Sequence, residues 1–92
     1  MYLEIVSPEN TLFSGEVDSV TVPGTSGDFQ ILNNHAPIVS TLKGGTVRIA
    51  GVITIEEAVK DNFTEDGANV NLFTISSGTI EMRNNKLILL AD

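Results

Sequence analysis

The chain has 92 residues, 41% of them apolar, no cysteine, and a formal net charge of −7 at pH 7. That length allows one domain, residues 1–92, with a thin core, because so short a chain buries only roughly 60% of its unfolded surface. Five scattered basic residues (Lys43, Arg48, Lys60, Arg83, Lys86) in an acidic chain argue against nucleic-acid binding, and without cysteine neither disulfides nor thiolate ligands can form. The apolar share argues against disorder, and no apolar run approaches the roughly 20 residues that cross a bilayer. Met1 leads straight into a strand-like pattern with no secretory signal, so the chain is expected to be soluble and intracellular. On that reading the sequon Asn62-Phe63-Thr64 is a coincidence.

Tyr2 to Val6 alternates, with Leu3 and Ile5 on one face, and suits a first strand. Ser7-Pro8-Glu9-Asn10 turns the chain, and Thr11 to Ser14 forms a short apolar piece closed by Gly15. Val17 to Val22 is β-branched and alternating, and Pro23-Gly24 ends it. From Pro23 to Gly45, turn formers bracket Phe29/Ile31 and Ile38/Val39 around a polar tip, Asn33-Asn34-His35. This stretch reads as a shaped loop that presents its tip at the surface.

Thr46 to Ile55 carries the longest alternation, with Gly51 marking a bend or bulge. Glu56 to Asp61 is sufficient for one helical turn, and Asn62 to Asn69 reads as polar loop. Val70 to Ser76, Thr79 to Arg83 and Lys86 to Leu90 are predicted strands, the last two joined by a tight turn at Asn84-Asn85. Short strands, frequent turn signals and no sustained 3.6-residue period predict an all-β fold, an antiparallel β-sandwich or barrel.

Motifs for catalysis are missing. Gly44-Gly45 lacks the lysine and spacing of a phosphate loop. One histidine cannot build a multi-histidine metal centre, so no metal site is expected. The acidic run Asp61 to Gly67 fails as a calcium loop, since Phe63 stands where an oxygen ligand is needed and Gly67 falls one place late. A Ser–His–Asp set can be drawn from Ser14 or Ser40 with His35 and Asp28, but no nucleophile elbow surrounds either serine. His35 itself is read evenly as a loop residue bonding to local backbone or as a contact residue on a presented loop.

A family becomes visible in Leu3-Glu4-Ile5-Val6-Ser7-Pro8-Glu9, Leu12-Phe13-Ser14-Gly15-Glu16-Val17, Val22-Pro23-Gly24, Gly27-Asp28-Phe29 and His35-Ala36-Pro37 with Leu42-Lys43. It continues through Phe73-Thr74-Ile75-Ser76, Gly78 and Asn84-Asn85-Lys86 to Leu90-Ala91-Asp92. In this order the motifs resemble the N-terminal sandwich domain of the epsilon subunit of F-type ATP synthase. The family usually has Pro-Gly where this chain has Asn33-Asn34, and a glycine where it has Gln30. Between Ile49 and Phe73, where the family has a short hairpin, lies a longer acidic segment with Glu56, Glu57, Asp61, Glu65 and Asp66. The resemblance stops at Asp92, where the family's C-terminal helical hairpin would begin, so the inhibition attributed to that hairpin is not expected of this chain.

The resemblance implies an antiparallel sandwich of two sheets and about ten strands. It also implies a non-catalytic central-stalk subunit, without cofactor, between the gamma subunit and the c-subunit ring. By family position Asp28 and His35 face the c ring, and Ser7 and Ser40 face gamma. The implied place is the cytoplasmic face of the bacterial inner membrane, reached only through the complex, and the isolated chain is expected to be a monomer. A generic β-sandwich binding module, such as one for carbohydrate, is the alternative; a small hydrolase built on His35 is a further rival.

Overall fold

The computed structural model describes all 92 residues, Met1–Asp92. Ten strands follow in order: β1 Tyr2–Val6, β2 Thr11–Glu16, β3 Ser19–Gly24, β4 Gly27–Leu32, β5 Ile38–Leu42, β6 Gly45–Ala50, β7 Phe63–Glu65, β8 Val70–Ile75, β9 Gly78–Arg83 and β10 Lys86–Ala91. The only helix is a 3₁₀ segment, Glu57–Asn62. The strands join in the order β2-β1-β10-β9-β5-β3-β6-β8-β7, with β4 on the other edge of β3. The step from β5 to β3 rests on one residue pair, Gly24 opposite Leu42. That corner divides the path into two five-stranded layers, β2-β1-β10-β9-β5 and β4-β3-β6-β8-β7, which is the expected sandwich.

Alternation places the core between these layers. One layer contributes Leu3, Ile5, Leu42, Ile80, Met82, Leu87 and Leu89; the other contributes Val20, Val22, Ile31, Val47, Ile49, Phe73 and Ile75. No polar or charged residue is fully buried, so the core carries no desolvated charge. Val6 and Ile5 straddle a register shift against β2, a bulge that ends β1 near the Ser7–Asn10 turn. The Asn84-Asn85 turn forms as predicted: both residues have positive φ, 53° and 59°, and Arg83 pairs with Lys86 across it.

Four expectations change. Pro23 to Gly45 is not one loop, since β4 pairs with β3 over its whole length and β5 pairs with β9. Only Asn33 to Pro37 between them remains irregular. The alternation from Thr46 does not carry one strand to Ile55. Gly51 adopts φ +148°, where a Cβ would lie 3.1 Å from the Asp18 nitrogen, and β6 stops at Ala50. Asn62 to Asn69 is not wholly loop, because β7 returns along β8. Finally, one pairing is parallel: β1 lies beside β10, Leu3 opposite Leu87 and Ile5 opposite Leu89. That pairing joins the two ends of the chain, which no local pattern encodes.

Candidate functional site

The ladder fixes where each candidate contact residue lies. Asp28 pairs with Pro23 beside the two-residue turn Thr25-Ser26, at one end of the sandwich. The same end holds the Leu90–Asp92 terminus and the Ser7–Asn10 turn, because Gly24 pairs with Leu42, Leu42 with Gly78, Gly78 with Ala91 and Leu90 with Val6. Asp28 is exposed, and its carboxylate makes no hydrogen bond within the chain. His35 lies past the far end of β4. Its N–H donates to the Leu32 carbonyl (3.1 Å), and its ring Nδ1 lies 2.7 Å from the Ala36 carbonyl.

Asp28 and His35 are therefore not neighbours. Asp28 to Leu32 alone spans about 13 Å at roughly 3.3 Å per strand residue, and the loop continues beyond. A surface that includes both must run the length of β4. That is feasible for an edge strand, which has β3 on one side only.

The Asn33-Asn34 departure acquires a physical reason here. Asn34 has φ 61°, the left-handed region that glycine enters freely and asparagine tolerates. Its N–H donates to Asn85 Oδ1 at 2.7 Å, tying the loop to the β9–β10 turn. Asn33 Oδ1 accepts from the Met1 ammonium, which also contacts Glu16. The tip is thus anchored to two other segments of the same end.

Ser7 and Ser40 are both half-buried and both bonded locally. The Ser7 hydroxyl donates to the Asn10 carbonyl and accepts from the Asn10 N–H, each at 3.2 Å. The Ser40 hydroxyl lies 3.3 Å from the Thr41 carbonyl, in mid-strand opposite Ile80. Ser7 shares an end with Asp28, while Ser40 sits halfway along β5. On the two strands that flank the His35 loop, the structure exposes two apolar side chains that have no role in the sequence pattern. Val39 on β5 is 75% exposed and Leu32 on β4 is 54% exposed. The alternation of β5 held the clue, because it buries Leu42 and half-buries Ile38 and Ser40, turning Val39 outward.

The Ser–His–Asp set does not assemble, since Asp28 and His35 occupy opposite ends and Ser14 lies on β2, in the other layer from Asp28. No group of three or more His, Cys, Asp or Glu is placed to hold a metal ion. Asp66, from the rejected calcium run, pairs instead with Arg48. The aromatic side chains are committed too. Phe13 and Phe73 are buried, Phe29 and Phe63 pack on the core, and Lys86 Nζ sits 5.7 Å from the centre of the half-buried Tyr2 ring. A stacking platform for a sugar ring needs an exposed aromatic face, so the carbohydrate-module reading finds no support here.

Comparison with known proteins follows the same architecture. The family model described as "ATP synthase, Delta/Epsilon chain, beta-sandwich domain" matches residues 1–92. The ATP synthase epsilon chain of Caulobacter vibrioides is 37% identical over 92 residues, covering 100% of this chain and 90% of the relative. That of Chlorobaculum tepidum is 38% identical over 90 residues, covering 98% and 86%. That of Desulforamulus reducens is 36% identical over 90 residues, but the match spans only 57% of the relative. Among solved structures, a chain in the Tetrahymena thermophila mitochondrial ATP synthase central stalk and c ring superposes with TM-score 0.75 over 98% of this chain and 61% of its own length. At 12% identity, that likeness is one of fold.

Proposed function

Because the chain belongs to the ATP synthase delta/epsilon chain family through its β-sandwich domain, we propose that it is a non-catalytic rotor part. In this reading it links the gamma subunit to the c-subunit ring and helps couple proton flow to ATP synthesis, at the cytoplasmic face of a bacterial inner membrane. The observation that carries the reading is the family match over residues 1–92, with 37% identity to an epsilon chain that the chain nearly spans.

The physical requirements of such a part are stiffness and attachment at separated surfaces. Fifty-three backbone–backbone hydrogen bonds, 43 of them inside regular elements, resist shear between strands. The apolar core between the layers resists their sliding, since close-packed interiors deform little. The molecule extends 31 Å along its longest axis, enough to hold two partners apart. The ring contact is assigned to Asp28 and His35 along β4, and the gamma contact to Ser7 and Ser40. Because both hydroxyls are engaged locally, the exposed Val39 beside Ser40 supplies apolar area to that contact.

Co-purification tests the reading. The chain should form a stable complex with the gamma subunit of its own organism, attach to the c ring through that complex, and show no ATP turnover alone. Failure to associate with gamma under conditions where gamma is folded would sink it.

A further inference from the structure

The connection from β6 to β8 does far more than join two strands. Ala50 and Val70 are already opposite each other, so a two-residue turn would close the hairpin. Instead the chain spends residues 51–69 on an excursion. Gly51 and Val52 line a cleft with Glu16 and Val17; Thr54 and Glu56 line another with Thr11 to Ser14. Val59 and Asn62 then face Ser7, Asn10 and Leu12. The segment thus runs alongside β2 in the opposite direction, turns at the 3₁₀ helix, and returns on β8 as β7.

Two features show what this arm does. Ile53, Ile55, Val59 and Phe63 pack on the core, and the Phe63 ring stacks on Phe73 with centroids 5.3 Å apart. The arm therefore closes the flank between β2, which ends one layer, and β8, whose outer side carries only the arm's own β7. Yet none of the backbone hydrogen bonds outside the ladders joins the arm to β2. It covers the outer edge of β2 without pairing with it, leaving gaps of about 170 and 290 Å³ along the contact.

We propose that residues 51–65 are an edge guard. They shield the unpaired outer edge of β2, and the apolar flank behind it, from strand addition by a second copy of this chain. Three observations support a second copy as the occupant. β2 ends the sheet path with one ladder partner, β1, so its outer edge offers unpaired backbone groups that are a template for another strand. The central β2 residues Leu12, Phe13, Ser14 and Gly15 carry no charge that would repel an identical strand. The arm above them carries Glu56, Glu57, Asp61 and Glu65 against one cation, Lys60, which pairs with Glu57, and the remaining net negative charge would repel an approaching copy.

The test uses two variants of the whole chain. In the first, Asn-Gly replaces residues 51–69, so that β6 and β8 form a plain hairpin. In the second, Ile53→Ser with Ile55→Ser releases the arm while retaining the ladder. Sedimentation should give a monomer mass for the parent and a dimer or larger mass for the first variant. Amide exchange in the second should show lost protection across Thr11–Glu16, with Gly78–Ala91 unchanged. A first variant that folds and stays monomeric would overturn the proposal. If it does not fold, the second variant decides: unchanged protection across Thr11–Glu16 refutes the guard.

Discussion

Asn34, Asn84 and Asn85 hold positive φ of 61°, 53° and 59°, and Asn34 donates to the Asn85 side chain. Left-handed backbone costs a typical L-residue roughly 1–2 kcal/mol, which asparagine reduces and glycine avoids. Asn34→Gly should therefore fold with unchanged or slightly greater stability. Asn34→Val, β-branched at the same angle, should lose about 1 kcal/mol, read as a lower urea midpoint at equal slope. An equal midpoint for both would show that the loop backbone rearranges freely. Gly78 is constrained differently: a Cβ there would lie 2.5 Å from the Leu90 carbonyl oxygen, a backbone atom of the neighbouring strand. Gly78→Ala must push β9 from β10 where Gly78 pairs with Ala91, at a cost of about 1–3 kcal/mol. A melting temperature unaffected by that change would contradict the close approach.

Whole strands were legible where alternation survives for five or six residues. Tyr2–Val6, Val70–Ile75 and Gly78–Arg83 bury every second residue or nearly so, and the Asn84-Asn85 turn announces its own geometry. β4 and β5 were hidden because glycines, prolines and exposed apolar residues interrupt the pattern: Leu32 and Val39 face outward where alternation and composition disagree. β7 was hidden by its brevity, three residues inside a polar run, and it exists because Phe63 finds Phe73 across the ladder. The parallel β1–β10 pairing depends on contacts between opposite ends of the chain, which no window of sequence holds. For the candidate contact residues, neighbourhood was not legible, because the length of β4 separates Asp28 from His35. The arm makes its own prediction at this scale. Phe63 is only half-buried, so Phe63→Ala should cost about 2 kcal/mol through lost packing and stacking. The loss should appear first as amide exchange in Phe63–Glu65, ahead of global unfolding; simultaneous exchange of β9 and β10 would mean that the arm is no separate unit.

At the scale of the molecule, the separation of Asp28 and His35 turns a list of proposed contact residues into a question of orientation. A stiff sandwich cannot bend one end of β4 toward the other, so a ring that touches both must lie along the strand. Each contact, at an exposed rim, should contribute about 0.5–1.5 kcal/mol per hydrogen bond. Asp28→Ala and His35→Ala should therefore each weaken attachment to the c ring, with roughly additive losses in the double variant, since distant sites rarely couple. Folding should be unaffected, because neither side chain is buried and neither bonds to a distant segment. Gamma binding should survive as well, while Val39→Asp should weaken it by placing charge where the proposed gamma contact would bury apolar area. The measurement is retention of each variant on the solubilised ring in the presence of gamma. Loss confined to Asp28→Ala would restrict the ring to the end shared with Ser7 and exclude a footprint along β4. Unchanged retention in the double variant would remove this edge from the ring contact altogether.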